Sequence, residues 1–143
     1  MKHLFVINPH SFRKKRYDHI VTEIDNRSRE ERDFFYDIYV SRYPRDAVVA
    51  VSNYIKKVAL DEIVRVYAVG GDGILFDCLN GIINHPNAEL TNVPYGKAND
   101  FLRGCFGIKA KELFRDIKTL SKGQVHLVDA MQCGTNYAIN EVV

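Results

Sequence analysis

A chain of 143 residues with 46% apolar and 27% charged residues is one globular domain's worth of sequence, long enough to bury roughly two-thirds of its unfolded surface with no disulfide or metal staple. A formal net charge of +2 is too small to argue for nucleic acid as a partner, and the one basic run, Arg13 to Arg16, reads as a solvated face. Three widely spaced cysteines (Cys78, Cys105 and Cys133) with no C-x-x-C pair argue against a disulfide framework or a thiolate zinc site and fit a reducing compartment.

Residues 3–7, HLFVI, read as a short buried strand ended by the turn residues Asn8, Pro9 and Ser11, with Ser11 placed to cap the next helix. Over 13–30, Tyr17, Ile20, Val21 and Ile24 share one helical face in a polar run. DFFYDIYV at 33–40 reads as a second strand, and Pro44 sits at the entry of a second helix over 45–59. EIVRVYAV at 62–69, rich in β-branched residues, is a third strand. A third helix is predicted over 74–84 and a short fourth strand over 89–93. Helices over 99–106 and 110–123 follow, the second stopped by Gly123. Two late strands, QVHLVDAM and TNYAINEVV, are joined by QCGT as a hairpin turn. The chain stops inside that last strand-like run, which reads as a cut ahead of a continuation. Strands alternating with helices predict an α/β domain with a mainly parallel sheet and an antiparallel late addition. No apolar run approaches the ~20 residues of a membrane-spanning helix. The apolar stretch in MKHLFVINPH is too short for a signal peptide. A cytosolic chain is expected, with peripheral membrane contact left open.

In such a sheet, ligands bind beyond the carboxyl ends of the strands. That gathers NPHS, VSRYP, GGDG and PYGKAND on one rim. In VGGDG, Gly70, Gly71 and Gly73 are free to take φ > 0 and to bring backbone close to a ligand. The helix starting near Ile74 aims free N–H groups and its positive dipole end at the same spot, an arrangement that favours phosphate. The G-x-x-x-x-G-K-[ST] loop is absent, and G-x-G-x-x-G fails because Phe76 stands at the third glycine. Asp72 would repel a bare phosphate. It makes sense as a holder of Mg²⁺ that bridges phosphates, as acceptor of a proton from an attacking hydroxyl, or as a helix N-cap. In PYGKAND, Pro94 and Gly96 make a turn, Asn99 or Asp100 starts a helix, and Lys97 suits a phosphate or lipid headgroup. Asn8 can bind a ligand or a neighbouring turn, and Lys14 and Lys15 can reach phosphates from the first helix. His3, His10, His19, His85 and His126 lack metal-ligand spacing and read as structural or exposed.

Asn8-Pro9-x-Ser11, Gly70-Gly71-Asp72-Gly73, Asn80-Gly81, Pro94-x-Gly96-x-x-Asn99-Asp100-Phe101 and Val128-Asp129, in this order and spacing, resemble the catalytic domain of diacylglycerol kinases. The closest likeness is to the bacterial lipid kinase branch, related to sphingosine kinases and more distantly to NAD kinases. The resemblance covers essentially the whole chain. It implies a three-layer α/β/α, Rossmann-like nucleotide-binding domain over residues 1–143, with a C-terminal β-sandwich missing and the active site in the cleft between the two. It further implies ATP with Mg²⁺ and phosphoryl transfer to a lipid hydroxyl, mostly by positioning and charge neutralisation. In that scheme Gly70, Gly71, Gly73 and Ile74 hold the ATP phosphates, and Asn8, Ser41, Lys97 and Asn99 line the nucleotide. Asp72 works at the metal or the proton, and Asp100 joins it as a catalytic acid. The chain departs from the family at Phe12 (usually Gly), Ser41 (Thr), Ile74 (Thr), Asp77 (Glu) and Lys97-Ala98 (Thr-Gly). Ser41 and Asp77 keep the chemistry, whereas Ile74 loses a hydroxyl and Phe12 fills a space that glycine leaves open. The isolated chain is expected to be inactive. Two alternatives stand beside the kinase: a non-catalytic nucleotide-binding or regulatory domain, motivated by Ile74 and Phe12, and a NAD kinase-like enzyme, motivated by GGDG and by the Asn-Glu pair of NYAINEVV.

Overall fold

Four parallel strands in the order β2-β1-β3-β4 form the main sheet. They are β1 (Lys2–Ile7), β2 (Phe35–Val40), β3 (Val64–Gly70) and β4 (Ala88–Pro94). Helices α1 (Lys14–Glu30), α2 (Asp46–Lys56) and α3 (Asp72–Ile82) connect them, and a short α4 (Ile117–Ser121) follows. The computed structural model describes residues 1–95 and 114–125, and the backbone of 131–133 and 136–138.

The two inner strands are buried on both faces, so they read as nearly unbroken apolar runs rather than as an alternation. Pleating still sorts their side chains. Leu4 and Val6 of β1 with Val64, Val66 and Ala68 of β3 face Ala47, Val51 and Ile55 of α2 and Leu75 and Cys78 of α3. Phe5 and Ile7 with Tyr67 and Val69 face Ile20 and Ile24 of α1 and Ile117 of α4. The register that pairs Leu4 with Val66 and Val6 with Ala68 keeps each set on its own side. The result is the expected three-layer α/β/α arrangement.

Three local expectations change. Ser11 does not cap α1: Asn8 Oδ1 accepts the His10 N–H at 3.1 Å and starts a separate 3₁₀ turn over Pro9–Ser11. Arg13 then stands at the N-cap of α1 without a side-chain cap. The helix over 110–123 is shorter in its described part, because Asp116 accepts the N–H of Lys118 (3.1 Å) and the hydroxyl of Thr119 (2.8 Å) and starts α4 there. The late hairpin forms as β5 (Met131–Cys133) and β6 (Asn136–Ala138), antiparallel and as its own sheet, with Gln132 and Cys133 in the strand rather than in the turn. The helix over 99–106 lies outside the described residues.

Two buried arginines dock α4 at the end of the sheet away from the turns. Arg65 donates to Glu89 at 2.9 Å and to the carbonyls of Leu120 at 2.8 Å and Gly123 at 3.0 Å. Arg27 reaches Ser121 Oγ at 3.0 Å and pairs with Glu31. Beside them, His3 Nδ1 lies 2.6 Å from the Tyr67 hydroxyl, and its ring stacks on Phe34 with centroids 4.2 Å apart. Burial first, then the positive charges of Arg65, the N-terminus and Arg27, push the His3 pKa down to about 4.

Two predictions follow from this packing. A Cβ on Gly81 would lie 2.7 Å from Val51 Cβ and 3.0 Å from the Val48 carbonyl, so Gly81 lets α3 close on α2. Gly81→Ala is expected to destabilise the chain by about 1–3 kcal/mol in urea melts, despite alanine's better helix propensity. His3 is neutral in the folded state, so its contribution is fully present above the unfolded pKa of 6.5 and is lost as pH falls toward 4. Relative to pH 7, the loss is about 2 kcal/mol at pH 5. In His3→Phe, which keeps the stack on Phe34 but cannot titrate, the urea midpoint is expected to fall less steeply with acid than in the wild type.

Candidate functional site

The rim at the carboxyl end of the sheet is closed by backbone hydrogen bonds one step beyond the strands. Asn8 N–H donates to Val69 O at 3.0 Å, Ser41 N–H to Ile7 O at 2.9 Å and Tyr95 N–H to Gly70 O at 3.0 Å. The turns therefore leave the sheet from fixed positions. From β1 the chain goes through α1 to β2 on one side, and from β3 through α3 to β4 on the other. Between β1 and β3 it diverges, which is where an open α/β sheet forms its ligand crevice.

Gly70 sets the floor of that crevice. Its φ is +149°, and a Cβ there would sit 2.8 Å from Ile74 Cγ2 and 2.9 Å from Ser11 Oγ. Only glycine lets the GGDG turn and the Asn8 turn come this close. The expectation of three special glycines needs correcting, because Gly71 is extended (φ −96°, ψ −159°) and only Gly70 among the described glycines has positive φ. Gly73 is a different case. It lies in the first turn of α3, and among the described residues nothing stands within 4 Å of where its Cβ would be. Neither backbone nor packing asks for glycine there, and glycine costs a helix about 1 kcal/mol relative to alanine. Cβ vectors tilt toward the helix N-terminus, so the space kept open lies beside the first-turn N–H groups. That is an anion-binding position.

Asp72 is the first residue of α3, and the N-cap is Gly71 with no side-chain cap bond, so Asp72 is not the cap. Ile74 sits at the base of the same turn. It is 4% exposed and packs in the core with Leu75 and Cys78, so only its backbone is available to a ligand. Asn8 spends its side-chain oxygen on His10. Among the described residues its amide NH₂ makes no hydrogen bond. Lys97, Asn99, Asp100 and the Val128-Asp129 pair lie outside the described residues. Lys15 lines an open groove of ≈ 750 Å³ on the α1 side with Arg16, Tyr95 and Arg115, alongside the acids Asp18 and Glu23. This mixed-charge groove is separate from the glycine turn.

Ser41 reaches the rim bound to a residue that sequence reading missed. Its hydroxyl donates to Asp46 Oδ1 at 2.7 Å, while Asp46 Oδ2 accepts the Arg42 N–H at 2.7 Å and the Tyr39 hydroxyl at 2.9 Å. Burial alone would raise the Asp46 pKa, but these hydrogen bonds outweigh it and hold the carboxyl below its usual range. Next to it, Arg45 takes a left-handed backbone (φ 69°) and lies over the Phe76 ring at 5.0 Å. Its backbone also bonds Asp77, whose pKa burial raises and Arg45 partly offsets. Asp77 therefore ties the β2–α2 turn to α3. Asn92, 2% exposed, is a second missed residue. Its side-chain NH₂ donates to Ala68 O at 2.8 Å beside the strained glycine. A lone Asn in the run ELTNVP and an acid two positions after Pro44 were the available signals.

A family model described as "Diacylglycerol kinase catalytic domain" matches residues 2–133. A Bacillus subtilis (strain 168) protein named "Putative lipid kinase YtlR" is 32% identical over 121 residues, 82% of this chain and 37% of its own length. "Diacylglycerol kinase" of the same organism is 33% identical over 86 residues, 59% of this chain and 28% of its own length. The chain thus spans about a third of the length of these relatives. A solved structure titled as a "putative diacylglycerol kinase" from Bacillus anthracis str. Sterne superposes with TM-score 0.70 at 23% identity, over 95% of this chain and 44% of its own, which shows the shared fold.

The two glycines separate fold from ligand. Gly73→Ala is expected to leave stability unchanged or raise it by up to about 1 kcal/mol, while weakening ATP binding. Gly70→Ala is expected to lose stability outright. Urea melts beside titration calorimetry with ATP distinguish the two.

Proposed function

The chain belongs to the diacylglycerol kinase catalytic domain family, and on that footing we propose that it is the nucleotide-binding domain of an ATP-dependent lipid kinase. The γ-phosphoryl group would pass to a lipid hydroxyl such as that of diacylglycerol. The observation that carries this reading is the open first turn of α3. Among the described residues Gly73 leaves space that no packing requires, beside the first-turn N–H groups of α3 and at the divergence of β1 and β3.

In this proposal the phosphates lie against the turn of Gly70, Gly71 and Gly73 and against the backbone of Ile74. Asn8 offers its side-chain NH₂ from the other wall of the crevice, and Ser41 lines the far side of the nucleotide. Lys97, Asn99 and Asp100 complete the site from the turn after β4. Asp72 is a single carboxylate at a turn of donors, and among the described residues no group of three or more ligating side chains could hold a metal by itself. That donor set suits Mg²⁺, which takes one or two carboxylates and fills the rest of its shell with phosphate and water. When bound, the ion supplies charge neutralisation on the transferred group. Asp72 either orients it or takes the proton of the attacking hydroxyl. The lipid would meet the site from a second, β-sandwich domain, with the whole protein acting at the inner membrane face from the cytoplasm. No helix among the described residues is long and apolar enough to cross a membrane.

A second reading, nucleotide binding without transfer, is favoured by Phe12. Its ring packs against Tyr95 at 5.1 Å and Tyr17 at 6.4 Å, and so takes the place a glycine leaves clear.

The test is transfer of labelled phosphate from ATP to extracted lipids by the full-length protein, alongside ATP binding with and without Mg²⁺. Asp72→Asn is expected to cut transfer by about 10²- to 10⁴-fold and to remove the Mg²⁺ dependence of binding. The 143-residue chain alone is expected to bind ATP without turnover. Transfer at wild-type rates in Asp72→Asn would overturn the assigned role, and binding without any transfer by the wild type would establish the second reading.

A further inference from the structure

The end of β2 carries an inference beyond the assignment of Ser41 to the nucleotide. Asp46 is 6% exposed and accepts hydrogen bonds from the Ser41 hydroxyl at 2.7 Å, the Arg42 N–H at 2.7 Å and the Tyr39 hydroxyl at 2.9 Å, with the Tyr43 backbone also lowering its pKa. An ionised carboxylate has no proton to give, so the partner is the donor in every one of these contacts. Bonds of this charge-assisted kind are the strong ones. Ser41 has one hydroxyl proton, and Asp46 holds it. What Ser41 keeps for a ligand is its oxygen lone pairs. Phosphate oxygens are acceptors and cannot use them, whereas a sugar hydroxyl can. Ser41 sits two strand spacings from the glycine turn, roughly 10 Å across the rim. A nucleotide whose phosphates lie at the glycine turn therefore extends its sugar toward β2.

We propose that Asp46 is a positioning residue for the nucleotide: it holds Ser41 as a hydrogen-bond acceptor for a ribose hydroxyl. The inference rests on the kinase reading above, which puts the triphosphate at the glycine turn. It predicts a specific effect of Asp46→Asn. The asparagine oxygen must stay with Arg42 N–H and Tyr39, because both are donors. Its NH₂ then faces Ser41, donates to it, and leaves the serine proton free. Ser41 changes from acceptor to donor while the turn keeps its shape.

The experiment compares the affinity of the full chain for ATP and for 2′,3′-dideoxy-ATP, which lacks both ribose hydroxyls. In the wild type, ATP is expected to bind about tenfold more tightly, the worth of one such hydrogen bond. In Ser41→Ala the ratio is expected to fall to about one; in Asp46→Asn, where the ribose hydroxyl can still accept from the freed serine proton, it is expected to fall below the wild-type ratio without reaching one. Tyr39→Phe removes a different bond to Asp46 and leaves Ser41 held, so the ratio is expected to stay near ten. A purely structural role for Asp46 would weaken both nucleotides together and leave the ratio untouched, which overturns the proposal. So does a wild type that binds the two equally, or a Tyr39→Phe that loses the ratio. Should Asp46→Asn fail to fold, the contrast between Ser41→Ala and Tyr39→Phe decides by itself. A wild type that binds neither nucleotide overturns the kinase reading and this inference together, a result distinct from the loss of the ratio alone.

Discussion

At Gly70 the backbone passes so close to the neighbouring turns that one added methyl group would meet Ile74 at 2.8 Å and Ser11 at 2.9 Å. Fold and site depend on that approach together. Ile74 belongs to the core between the sheet and α2–α3, so moving it away would lift the start of α3 off the sheet. Ser11 and Asn8 belong to the turn that leaves β1, so moving them would widen the crevice. The conformation is left-handed, and it is braced from three sides. The Gly70 carbonyl accepts the Tyr95 N–H, the preceding Val69 carbonyl accepts the Asn8 N–H, and the Asn92 side chain bonds the Ala68 carbonyl. Local strain of this kind persists only where the surroundings over-determine it, and such places are disproportionately functional.

Under the proposed reading a polyanion meets a rim that carries carboxylates, an electrostatic problem that differs at each one. Asp46 is buried and ionised, but hydrogen-bond donors spread its charge and turn it into a fixed acceptor. Asp77 is half-buried, leans on the Arg45 backbone, and has its pKa raised by desolvation. Asp72 stands in the first turn of α3, where the helix dipole favours an acid. The first two bind the β2–α2 turn to itself and to α3. Only Asp72 is left in a position where its charge makes sense beside phosphate, and then only with a cation between them.

The strand and helix order was legible because the two periodicities differ so sharply here. Val64 to Val69 is apolar except for Arg65 and reads as a doubly buried strand, while Ile20, Val21 and Ile24 mark one helical face. The glycine turn was legible as a strand-to-helix turn because it stands between an apolar strand and a helix. What stayed hidden was long-range. Nothing local says that Gly70 needs its conformation and Gly73 does not, since the difference lies in what surrounds a missing Cβ. Asp46 drew no notice in the sequence because its partners, Tyr39 and Ser41, come from the preceding strand and turn. Ser11 looked like a cap because Asn8's claim on His10 depends on backbone angles, not composition.

Ile74 is where these strands of argument meet. At this position the resembled family carries threonine, so the substitution looked like the loss of a ligand-binding hydroxyl. The structure gives it a second meaning. The Ile74 Cγ2 methyl is the nearest atom to the missing Cβ of Gly70, and the side chain is buried to 4% exposure in the core. A threonine here would bury a hydroxyl against apolar neighbours unless a ligand or the turn took its hydrogen bond, a cost of about 1–3 kcal/mol. Isoleucine removes that cost and adds apolar contact under the strained glycine. The same exchange leaves the phosphate turn with backbone donors alone on this wall. Stability thus sits at the point where fold and site meet, and in the proposed site the side-chain ligand chemistry falls on Asn8, Asp72 and the Ser41–Asp46 pair.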